Sequence, residues 1–269
     1  MSTKYGENND LIVILKDNHG NPINDVQVSV DLNGVENYTT DNEGQINVST
    51  SKLAPGTYIA KIHFGEDDYC FGCDMETIVE VKKSATQIIA SSVETTYNSG
   101  AFFLVSLKDS NGNPIQNILV SVDLGGVKSY TTNEKGQIKI PIQKLVPKTY
   151  VAKIKFNGNS YYVGSKDDSV VVVKKATPKM SAKSKAFKIK TKTKKYSIIL
   201  KNNKKQVIKK AKVYLKVKGK TYVAKTNSKG KATFKIFKLT KKGKYTAVIT
   251  YKGNKYYNKL TEKVKITVK

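Results

Sequence analysis

Arginine and tryptophan are absent from this chain, and its 269 residues include only two cysteines, two histidines and six prolines. Without arginine there is no planar guanidinium fork to read guanine edges or grip a phosphate at two points, which disfavours sequence-specific nucleic-acid readout. So few cysteines and histidines leave little for a metal cage or for imidazole acid–base chemistry, and no enzyme is expected. Long apolar runs are missing too. The longest, at 11–15, 101–105 and 170–173, fall far short of the ~20 residues a membrane-spanning helix needs. The first ten residues, MSTKYGENND, have no apolar stretch of the export-signal kind. Neither membrane insertion nor an export signal of its own is expected.

What is present is lysine. All 48 basic residues are lysine against 21 acids, a net charge of +27, while 39% of the residues are hydrophobic. That apolar fraction supports packed cores and excludes a simple disordered polycation.

The chain repeats itself. LIVILKDNHGNPINDVQVSVDLNGVENYTT, from Leu11, lies over FLVSLKDSNGNPIQNILVSVDLGGVKSYTT, from Phe103, with Leu15 on Leu107 and Tyr58 on Tyr150. A more diverged third copy places Leu200, Gly230, Tyr245 and Tyr251 on Leu107, Gly136, Tyr150 and Phe156. In the second copy, short alternating runs rich in Val, Ile, Thr and Tyr predict strands at 86–93, 102–108, 118–124, 127–132, 137–142, 149–156 and 169–174. About seven strands without a helical period predict an all-β fold of three tandem immunoglobulin-like Greek-key sandwiches in an elongated array. The expected domains are 1–84, 85–176 and 177–269, joined by short polar linkers. Tyr5 aligns with Tyr97, so the strand matching 86–93 has no counterpart expected in copy one. Gly44, Gly136 and Gly230 close hairpins. Tyr58, Tyr150 and Tyr245 each follow a turn, where either a tyrosine corner or an ordinary strand tyrosine is expected.

Charge is distributed unevenly. Residues 1–90 carry 6 Lys and 14 acids, 91–180 carry 12 and 6, and 181–269 carry 30 Lys and the single acid Glu262. Strand alternation in the third copy is expected to put Lys188, Lys190, Lys192, Lys212, Lys216, Lys218, Lys263 and Lys265 on outward faces, a candidate polyanion-binding surface. The alternative is a solubilising, edge-protecting shell. Tyr161, Tyr162, Tyr256 and Tyr257, with Tyr69-Cys70 in the matching place of copy one, form aromatic loops that are either candidate recognition sites or packing over the sandwich end.

Other motifs offer less chemistry. Cys70-Phe71-Gly72-Cys73 has no second pair to complete a zinc site, although His63, Asp67, Asp68 and Asp74 lie near it in sequence. Its counterparts Tyr162 and Ser165 show that the repeat folds without thiols, leaving a local disulfide or incidental thiols. His19 holds a turn position and His63 an outward strand position, and no third group is expected to complete a triad with either. The Asp/Asn turns lack the carboxylate density of a dedicated calcium loop. No cofactor and no metal is expected.

The run GNPI-x-x-V-x-VSV-x-L-x-G, YTT-x-x-x-GQI and L-x-PGTY-x-AKI-x-F resembles the bacterial immunoglobulin-like (Big-type) repeats of large surface proteins, above all those in adhesin-like proteins of methanogenic archaea. The resemblance implies a β-sandwich stalk at the cell surface with a role in attachment. That attachment is to other cells or to the wall; with the lysine charge of the third copy, the expected partners are an anionic cell-wall polymer or another cell surface, and non-specific nucleic-acid binding is the alternative. Some modules of this kind carry a Lys–Asn isopeptide crosslink, which requires a buried lysine.

Overall fold

The computed structural model describes residues 1–66 and 70–269, and among these every regular element is a strand. Copy one contributes β1 (Ser2–Lys4), β2 (Leu11–Ile14), β3 (Gln27–Asp31), β4 (Val35–Thr39), β5 (Gln45–Val48), β6 (Gly56–Phe64) and β7 (Cys73–Lys82). Copy two contributes β8 (Thr86–Ile89), β9 (Val93–Thr96), β10 (Phe102–Asp109), β11 (Leu119–Asp123), β12 (Val127–Thr131), β13 (Gln137–Pro141), β14 (Thr149–Phe156) and β15 (Ser165–Lys174). Copy three contributes β16 (Lys179–Ser181), β17 (Lys185–Phe187), β18 (Lys194–Lys201), β19 (Lys212–Val217), β20 (Lys220–Lys225), β21 (Lys231–Ile236), β22 (Gly243–Tyr251) and β23 (Leu260–Val268).

Each copy builds two sheets. The orders are β1-β7-β6-β3-β4 with β2-β5, then β12-β11-β14-β15-β9 with β13-β10-β8, then β17-β23-β22-β19-β20 with β16-β18-β21. Non-consecutive neighbours in all three give the Greek-key, immunoglobulin-like sandwich that the strand pattern predicts. The period-two alternation places the cores. In β14, Tyr150, Ala152, Ile154 and Phe156 are buried while the residues between them face outward, and each large apolar side chain removed from water contributes about 1.5–3 kcal/mol.

Two compact units divide the chain. One holds residues 1–90, 105–138 and 153–168, the other 91–104, 139–152 and 169–269. The linkers near Ser84 and Ala176 therefore each lie inside a unit. Both residues are buried, at 1% and 0% exposure, while Lys82, Lys83, Lys174 and Lys175 beside them are exposed.

Two local expectations change. Residues 86–93 do not form one strand: β8 runs antiparallel to β10, and after the small residues Ala90, Ser91 and Ser92 the chain crosses to the other sheet, where β9 runs parallel to β15. As expected, the described residues of copy one hold no counterpart of β8; its β1 instead matches β9, pairing in parallel with β7 as β9 does with β15. Residues 187–192 are not a strand either. The ladder of β17 ends where Phe187 meets Val268, and a turn follows, closed by the Thr191 N–H donating to the Lys188 carbonyl at 3.1 Å.

The tyrosines at the start of the long return strands are corners. The phenols of Tyr58, Tyr150 and Tyr245 donate to the carbonyls of Ala54, Val146 and Lys241, four residues upstream, at 2.8, 2.8 and 2.9 Å. The Asp and Asn turns also close as their chemistry dictates: Asp109 Oδ1 accepts the N–H groups of Asn111 and Asn113, as Asp17 does from His19 and Asn21.

Candidate cationic face

In β19 the side chains of Val213, Leu215 and Val217 point into the core, which turns Lys212, Tyr214 and Lys216 outward. Register extends that outer face across the sheet. Lys212 sits opposite Lys225 and Lys216 opposite Thr221 on one side; on the other, Lys216 faces Val248, which faces Lys263, while Thr246 faces Lys265. Lys212, Lys216, Lys225, Lys263 and Lys265 thus share one face, and all are exposed. Tyr214 lies among them, with the ammonium groups of Lys212 and Lys252 at 5.6 and 4.7 Å from its ring centre. Glu262 pairs with Ile249 and belongs to the inward row of Val264 and Ile266, so the one acid of residues 181–269 is off this face.

Of the eight lysines singled out from the sequence, the sheet brings Lys212, Lys216, Lys263 and Lys265 together. Lys188, Lys190 and Lys192 are exposed but follow β17 in the turn region, and Lys218 occupies the β19–β20 turn at φ +46°, its ammonium 5.8 Å from the Tyr245 ring centre. Sequence reasoning missed Lys225 and Lys252. The signal for Lys225 was the two-residue Lys218-Gly219 hairpin, which fixes it opposite Lys212.

The electrostatics of copy three are unrelieved. Among the described residues the lysine–carboxylate ion pairs are Lys4–Glu7, Lys61–Glu76, Lys82–Glu80 and Lys174–Glu94, all before copy three. Lysine faces lysine across the ladders at Lys212–Lys225, Lys195–Lys235 and Lys179–Lys201, an arrangement that costs stability in an antiparallel pair. Lys194 is buried, at 2% exposure, and its ammonium donates to the Thr191 carbonyl at 2.8 Å rather than to an asparagine.

The tyrosine pairs do not stand free at loop tips. Tyr161 and Tyr162 pack on Tyr5, with ring centres 4.9 and 5.6 Å away, while Tyr256 and Tyr257 pack on Tyr97 at 4.7 and 5.7 Å. Asn159 and Asn254 hold them, each accepting both tyrosine N–H groups through its side-chain oxygen at 2.8–2.9 Å. The linkers join the same clusters: Ser84 N–H donates to the Tyr161 carbonyl and Ala176 N–H to that of Tyr256, both at 3.0 Å. Tyr69, Asp67 and Asp68 lie outside the described residues.

Cys73 is exposed at the start of β7 and Cys70 is half-buried. His63 does have a partner in reach, which the sequence reading did not assign: its Nδ1 lies 2.8 Å from Asp74 Oδ1, and Ser29 is its register neighbour on the other side. His63 and Asp74 are 60% and 83% exposed. This is a solvent-exposed hydrogen-bonded pair on the outer face of the sheet.

No family model matches the chain, and no curated protein does. Solved structures resemble it distantly. Invasin, described as a bacterial integrin-binding protein, is 11% identical with a TM-score of 0.41 over 96% of this chain and 56% of that one. A tetra-tandem repeat from the extending region of a large adhesion protein is 14% identical at 0.37, covering 91% and 67%. A bacterial ice-binding adhesin of 1.5 MDa is 12% identical at 0.32, covering 100% and 94%.

Proposed function

We propose that the chain is a non-enzymatic structural and adhesion module of a cell surface, whose third copy binds an anionic cell-wall polymer or anionic partner surface through the β19–β22–β23 lysine face. The observation that carries this is the face itself: Lys212, Lys216, Lys225, Lys263 and Lys265 side by side with no acid among them. The like-charge pairs are maintained at a cost in stability, and a bound polyanion offsets that cost. The resemblance to surface-protein repeats supports the cell-surface setting.

The test is retention of the full chain on isolated cell walls and on duplex DNA across a salt series, beside a variant with Lys212, Lys216, Lys263 and Lys265 all replaced by Gln. Wall binding stronger than DNA binding at physiological salt, and at least about tenfold weaker in the variant, is expected. Equal retention of the variant removes the face from the mechanism. DNA binding stronger than wall binding, with a log–log salt slope near −0.9 per phosphate contacted, favours a nucleic-acid partner instead.

A further inference from the structure

Leu15 and Leu107 hold the same place in successive copies, yet Leu107 is completely buried and Leu15 is not. The same contrast separates Val13 from Val105 and Ile23 from Ile115. The cover in copy two is β8. Ile88, itself buried, pairs with Leu107, and Thr86 donates its hydroxyl to Ser165 Oγ at 2.8 Å. In copy three β16 takes this place, with Met180 opposite Leu200. Among the described residues of copy one, β2 has β5 on one side and no strand on the other, so that sheet has two described strands where the others have three.

The open side is prepared for a strand. Leu15 N–H donates to the Gly44 carbonyl, as Leu107 N–H does to Gly136. Antiparallel alternation then directs the N–H groups of Ile14 and Lys16 away from β5, as those of Ser106 and Lys108 are directed toward β8. Beside this edge lies an apolar cavity of about 70 Å³ whose walls include Val13, Leu15, Ile46, Phe64, Cys73 and Met75. Leu15, Ile46 and Phe64 are the counterparts of the buried Leu107, Ile138 and Phe156, and Cys73 is the counterpart of Ser165.

We propose that this edge and cavity form a binding site for an extended peptide segment of β8 chemistry. The segment runs antiparallel to β2, with an isoleucine-sized side chain in the cavity and a small polar residue two positions earlier against Cys73. Main-chain hydrogen bonds supply affinity and the cavity supplies selection. Charge favours a basic leader on that segment: β8 and β16 follow Lys82-Lys83 and Lys174-Lys175, whereas residues 1–90 carry 14 acids against 6 lysines.

The probe is a synthetic peptide of residues 82–90, labelled and titrated into the full chain. Saturable binding is expected, at least about tenfold weaker for the peptide carrying Ile88→Asp, which would bury a carboxylate without a partner. Amide exchange should slow at Ile14 and Lys16. A peptide with Thr86→Cys, activated as a mixed disulfide, should be attacked by the Cys73 thiolate of the reduced protein, releasing the leaving thiol and joining the peptide at Cys73 in preference to Cys70. Equal binding of the Ile88→Asp peptide, equal attachment to both cysteines, or no saturable binding overturns the proposal.

Discussion

Tyr97 stacks on Tyr256 with ring centres 4.7 Å apart and planes inclined by 28°. Tyr97 also meets Tyr257 edge-on, and Asn203 donates its side-chain N–H to the Tyr97 carbonyl at 3.1 Å. The cluster joins the end of one copy's edge strand, just past β9, to loops of the next, so its loss should be felt in both. Replacing Tyr97 by Ala is expected to cost about 1–3 kcal/mol by denaturant titration and to speed amide exchange at Ala176. Tyr97→Phe should keep most of the stability. An unchanged Ala176 exchange rate in the alanine variant would show that the ring does not hold the linker.

Gly136 has φ +65°, and a Cβ there would meet the Leu107 carbonyl oxygen at 2.6 Å. Gly112 has φ +84° with nothing within 4 Å. Both substitutions to Ala force a left-handed residue, but one adds a backbone collision. Gly136→Ala is expected to lose at least about 2 kcal/mol and Gly112→Ala about 1 kcal/mol. Equal losses in thermal unfolding would mean that conformation alone sets the cost.

Lys225 faces Lys212 across an exposed ladder. Replacing Lys225 by Thr is expected to stabilise the chain by about 0.2–1 kcal/mol at low ionic strength. The gain should vanish near about 1 M salt, where charges are screened within ~3 Å. A variant less stable at every salt concentration would contradict the repulsion.

The Tyr38 phenol donates to Glu36 at 2.6 Å. That bond first, then burial and the nearby carboxylate charge, push its pKa up to about 12. The neutral phenol is thus favoured in the folded state. Its contribution is fully present below the ordinary tyrosine value near 10 and is lost as pH rises toward about 12. Glu36→Gln should bring the tyrosinate absorbance transition of this residue back toward the ordinary range. A transition that stays in place would assign the shift to burial.

Fold and site were unequally legible in the sequence. Period-two burial in β14 and the turn glycines gave the sandwich, because one buried face per strand admits a single register. The tyrosine-corner position was legible in all three copies, although choosing it over an ordinary strand tyrosine required the bond lengths. The crossing at Ala90–Ser92 was not legible, since both halves of the segment alternate alike and only pairing with β10 or β15 distinguishes them. For Lys212, Lys216, Lys263 and Lys265, alternation showed that each points outward. Their meeting on one face depends on strand order, which alternation does not contain. The tyrosine pairs looked like loop tips because Tyr5 and Tyr97, which cover them, are remote in sequence.

Each copy sets its final strand parallel to a strand from its beginning: β7 to β1, β15 to β9 and β23 to β17. Tension along the chain enters a copy near one of these strands and leaves by the other, pulling the pair past each other lengthwise. Ladder bonds lie across that direction, so they share the load in shear instead of opening one at a time like a zip. Single-molecule pulling should find high resistance until a whole ladder yields. The same pairing that closes the sandwich is thus expected to make each copy resist lengthwise pulling.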